Sequence, residues 1–142
     1  MRPFSPTSTS YLASGHFWAI PIDGHLYGCG VVLALRKSRE GKQNSRMFLA
    51  GLLDWIGLKA PDEESIKGKR VVAERFAHIK TIQMSGGEVI GRVAPWWDQT
   101  SYILENDSIP TAGYNVLSIM AKKLASTQRQ TTGEQDADGN PH

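Results

Sequence analysis

The residues of this sequence that could do chemistry are one cysteine, four histidines and four tryptophans, two of the latter beside acids. Cys29 could serve as a nucleophile, with His16 or His25 on the adjoining strand or turn as its base. The competing reading is a small apolar side chain buried in a strand between Gly28 and Gly30. A reactive thiol needs an electropositive, accessible setting, and no oxyanion-hole motif surrounds this one. His78 shares one strand face with Glu74 and Lys80. That spacing allows an acid–base pair, and equally an ordinary structural hydrogen bond. The histidines at 16, 25, 78 and 142 show no metal-ligand spacing. A single cysteine excludes an internal disulfide framework and any multi-cysteine zinc or iron–sulfur site. The glycines form neither a GxGxxG nor a Walker pattern, so no nucleotide and no other cofactor is implied.

Aromatic pairs are the more distinctive feature. Asp54-Trp55 and, after Pro95, Trp96-Trp97-Asp98 suit contact sites, because a few buried aromatic anchors with rim charges carry most interface energy. These five residues are the candidate partner-binding set. The alternative for Trp96 and Trp97 is that they fold back to cover an open sheet edge. Basic residues at 36, 37, 39, 42 and 46 gather in one loop and its flanks and could touch phosphate. Glu40 interrupts them and no stacking aromatic is interleaved, which favours a solvated charged loop.

The elements that must position these residues are legible in part. The chain has 142 residues, 40% hydrophobic and 21% charged, enough for one domain with a real core. Sixteen Lys and Arg against fourteen Asp and Glu leave +2, too weak a bias to argue for nucleic acid. No apolar run reaches the roughly 18 residues that span a bilayer, and the start has no signal-peptide core, so the expected location is cytoplasmic. Residues 1–10 and 127–142 are polar and read as unstructured tails around a single domain at 11–126.

Within that body, Phe17 to Ile22, the turn dipeptide Asp23-Gly24, and Tyr27 to Leu33 predict a hairpin. Arg46 to Ile56 is a long apolar run, strand or short helix by periodicity, with Gly51 leaning towards strand. Pro61-Asp62-Glu63-Glu64 opens a two-turn helix that stops by Gly68. Val71 to Ile82 reads as a strand, and Ser85-Gly86-Gly87 turns it into a second hairpin with Glu88 to Val93. Val116, Leu117, Met120 and Leu124 share one face of a helix over 115–125. The expected class is α+β: a twisted antiparallel sheet, or a small SH3-like barrel, of about five strands with a short helix and a C-terminal helix.

Two segments carry a family resemblance: Gly15-His16-Phe17-Trp18-Ala19-Ile20-Pro21-Ile22-Asp23-Gly24 and Tyr27-Gly28-Cys29-Gly30-Val31-Val32-Leu33. Together they resemble the opening of the immunity protein 26 family, over less than a fifth of the chain. Val31 stands where that family often has Arg. The resemblance implies a cytoplasmic antidote of a bacterial polymorphic toxin system, which binds and neutralises a cognate toxin domain without catalysis. It supplies no catalytic residues. An antidote that mimics DNA would be strongly acidic, and this chain is not. The expectation is therefore a non-catalytic toxin-binding protein. A nucleic-acid-binding small barrel ranks second, and an enzyme built on His78, Glu74 and Cys29 third. A homodimer is left open.

Overall fold

The computed structural model describes residues 3–22, 24–37, 43–97 and 113–139. Strands β1 (His16–Pro21), β2 (Tyr27–Lys37), β3 (Gln43–Gly57), β4 (Val71–His78) and β5 (Val89–Arg92) form one antiparallel sheet in the order β4-β3-β2-β1-β5. Helix α1 (Glu63–Ile66) precedes β4, α2 (Lys80–Gln83) follows it, and α3 (Val116–Gly139) ends the described chain. The α+β expectation holds as an open sheet. The barrel alternative does not, because β4 and β5 lie at opposite ends of the strand order.

The reason is visible in the strand sequences. Phe17-Trp18-Ala19-Ile20, Val31-Val32-Leu33 and Phe48 to Leu53 are buried at both parities, so both faces of the sheet are covered. One face packs Trp18, Ile20, Val32, Phe48, Ala50 and Leu52 against Leu117, Ala121 and Ala125 of α3 and Ile82 of α2. The other packs Phe17, Cys29, Val31, Leu33, Leu49, Leu53 and Phe76 against Ile66 and Val93. Fully burying each of the larger side chains contributes about 1.5–3 kcal/mol. Two glycines of β2 make room for neighbouring side chains: a side chain at Gly30 would collide with the Trp18 ring, and one at Gly28 would begin 3.1 Å from Ala121 of α3. The buried stripe of α3 is Leu117, Ala121 and Ala125, with Met120 and Leu124 half-buried beside it. Small alanines let the helix lie close to the sheet.

Several expectations are corrected. The strand over 71–82 ends at His78, and Ile79 and Ile82 are buried at helical spacing around α2. β5 does not return along β4 as a hairpin; it pairs with β1, at the far end of the sheet from β4. Residues 3–10 are not a tail: Phe4 exchanges both backbone hydrogen bonds with Val89 (3.1 and 2.8 Å), Gln83 donates to the Pro6 carbonyl, and Thr9 is buried. The C-terminal helix runs on past 126, through Gly139. Of the polar loop expected at 38–44, residues 43 and 44 open β3 and 38–42 lie outside the described residues.

Candidate partner-binding site

β2 carries the irregularity that positions the tryptophans. Its register against β3 runs Val32↔Ala50 and then Ala34↔Leu49, so Leu33 is skipped in a β-bulge. A bulge leaves backbone groups without ladder partners, and buried carbonyls need donors. Here the Leu33 carbonyl accepts from the Ser14 hydroxyl at 2.7 Å and from the Trp97 indole N–H at 2.9 Å. Trp96 in turn donates its indole N–H to the Lys69 carbonyl at 2.9 Å. The two rings meet edge to face, centroids 5.1 Å apart at 74°, and both are half-buried against the second core face. The chain leaving β5 is thereby pinned across that face, to β2 on one side and to the turn before β4 on the other. Part of each ring is thus a cover, over a face of the sheet rather than the open edge expected.

The rest of the Trp96 ring walls a cavity of about 320 Å³, shared with Glu63, Lys67, Gly68, Val93 and Ala94. α1 supplies its charged rim. Asp62 caps that helix through its carboxylate, which accepts from the Ser65 N–H at 2.8 Å, while the Ser65 hydroxyl accepts from the Asp62 N–H. Ile66 anchors the helix in the core, which holds Glu63 and Lys67 outward. Gly68, at φ +75°, makes the turn that brings Lys69 under Trp96.

Of the five candidate residues, the structure brings Trp55, Trp96 and Trp97 to one face of the sheet. The half-buried Trp55 ring lies across Gly57. Asp54 is engaged elsewhere: its carboxylate is 3.6 Å from the Arg70 guanidinium and accepts from Gln128 of α3 at 3.2 Å. Asp98 lies outside the described residues. Glu63, Lys67, Val93 and Ala94 were missed as site residues. The only sequence signal was the helix opening at Pro61, which says nothing about its nearness to Trp96.

The enzyme constellation is dispersed. Cys29 is fully buried, its thiol 3.5 Å from the Gly30 carbonyl, and burial pushes its pKa far up, away from thiolate. Among the described residues no hydrogen bond joins it to an imidazole. His16 Nδ1 accepts from the Ala13 N–H at 2.9 Å, and Phe4 packs edge-on to its ring. Burial, then the Arg92 charge, lowers its pKa. His78 Nδ1 accepts from the Lys80 N–H at 3.1 Å, and its ring meets Tyr114. Desolvation, Lys80 and Arg46, in that order, lower its pKa. Arg46, from the basic segment, donates to the Thr7 carbonyl at 2.7 Å. Among the described residues no three metal-ligating side chains cluster, and no helix is long and apolar enough to cross a membrane. The chain matches no family model, no curated protein and no solved structure.

Proposed function

We propose that this chain is a non-catalytic binding module of the bacterial immunity type, acting in the cytoplasm to occlude a cognate toxin domain. The observation that carries the reading is the Trp96 cavity. Its aromatic wall is fixed by a backbone hydrogen bond and a second indole, and Glu63 and Lys67 stand at its mouth. A preorganised ring loses little conformational freedom on binding, so an inserted aliphatic or aromatic side chain gains most of its contact energy. Rim charges of both signs then select the partner rather than supply affinity. The resemblance of residues 15–33 to the immunity protein 26 family names the partner class, and the near-neutral charge argues against phosphate mimicry.

The test fills the cavity without touching the tryptophans. Ala94 lines it and is exposed, so Ala94→Arg blocks the site at little cost to the core. Wild-type and variant proteins are used to capture partners from the native host, with quantitative mass spectrometry. Supporting the proposal takes a species that wild type recovers and Ala94→Arg loses, and whose captured domain arrests growth when expressed alone. Nucleic acid as the sole captured species, or a partner retained equally by both proteins, overturns it.

A further inference from the structure

A second concavity lies on the opposite face of the sheet, between β4 and α3, independent of the Trp96 cavity and of the reading built on it. It is a groove of about 320 Å³ lined by Leu52, Val72, Ala73, Met120, Leu124 and Thr127, with Arg75 and Lys123 also contributing. The walls are aliphatic, the two charged groups are both cations, and no carboxylate lines it among the described residues. Arg75 is half-buried and held in place by donating one N–H to the Glu74 carbonyl. A guanidinium has five N–H donors, so its remaining fork is available beside an apolar wall. Lys123 faces the same groove from the helix, with no ion pair among the described residues.

An apolar trough with two cations in its lining fits one chemistry: an aliphatic body ending in a carboxylate. We infer that the β4–α3 groove binds a medium-chain monocarboxylate, its chain against Leu52, Ala73, Met120 and Leu124 and its head on Arg75 and Lys123. The volume stands at the small end of ligand sites, about 300–1,000 Å³, which favours a chain of about eight carbons over a long lipid. The carboxylate meets Arg75 in the two-pronged geometry that guanidinium groups favour. A nucleic acid is a poorer fit, because no aromatic side chain lines the groove for a base to stack on.

The full chain, labelled at its methionine methyl groups, is titrated with octanoate and followed by NMR. Met120 lines the groove, while Met84 is 57% exposed and lies outside it, so Met84 reports non-specific adsorption. The expected result is a saturable shift of Met120 with a Kd below about 5 mM and a stationary Met84. Octylammonium, with the same body and the opposite charge, binds at least about tenfold more weakly, as does acetate, which has the head alone. Arg75→Gln combined with Lys123→Gln weakens octanoate by about tenfold. Equal shifts at Met84, equal binding of octylammonium, or no saturation at Met120 would overturn the inference. These wild-type arms decide the matter even if the double variant fails to fold.

Discussion

The Leu33 carbonyl offers a quantitative check on the account of how the tryptophans are held. It is skipped by the β2–β3 register, belongs to a fully buried residue, and is served by two side-chain donors, Ser14 at 2.7 Å and Trp97 at 2.9 Å. Removing one donor leaves the other in place. Ser14→Ala or Trp97→Phe should therefore each lose one neutral hydrogen bond, a net cost of about 1 kcal/mol. Trp97→Phe loses some ring contact as well. That loss occurs with and without Ser14 and so cancels in a double-mutant cycle. The double variant leaves the carbonyl with neither donor and adds the penalty of an unsatisfied buried group, about 1–3 kcal/mol. The cycle should show a coupling of that size, with the double variant less stable than the sum of the singles. Urea denaturation followed by circular dichroism measures it, and with an m-value of about 1.5 kcal/mol per molar the coupling is a midpoint shift of about 0.7–2 M. Additivity within about 0.5 kcal/mol would refute the reasoning, because it would mean that the two donors do not share a buried acceptor.

Two further outcomes follow from the buried titratable groups. His16 must be neutral at Nδ1 to accept from Ala13, and its folded pKa lies below the ordinary histidine value. Its contribution is present above the unfolded pKa near about 6.5 and is lost as pH falls through the lower folded value. The urea midpoint of the wild type should therefore drop more between about pH 7.5 and about pH 5 than that of His16→Gln; parallel drops would contradict the assignment. The Cys29 thiol, buried and pushed up in pKa, should resist a disulfide reagent in the folded protein and react at once in denaturant. Immediate stoichiometric labelling of folded protein would show that the second core face is open to solvent.

What the sequence made legible was local. The β1–β2 hairpin follows from alternating apolar residues around a turn whose Gly24 adopts φ +84°. The helix opening at Pro61 and its acids gives α1, in one turn rather than the two expected, and the Arg46–Ile56 run is a strand as Gly51 suggested, with Leu33 packed where a side chain would stand. Non-local choices were not legible. Ile79 and Ile82 fit a strand on propensity, and only their burial around α2 shows that the chain leaves the sheet at His78. That β5 pairs with β1 depends on where α2 delivers the chain, which no local pattern encodes. Residues 3–10 look too polar to order, yet Phe4 alone finds both a strand partner and the His16 ring. The tryptophan pair was legible as a feature but not as an arrangement. Anchor and cover were posed as alternatives, and each ring is partly buried, with Trp96 also presenting a wall to a cavity.

The most direct test of the central claim, that the Trp96 cavity is a docking site for a protein partner, is calorimetric titration of the captured toxin domain into wild-type protein and into Ala94→Arg. The account predicts saturable binding to the wild type and at least about tenfold weaker binding to the variant, with thermal unfolding of the variant unchanged. Equal affinities for the two folded proteins would contradict it and place the contact surface elsewhere on the fold.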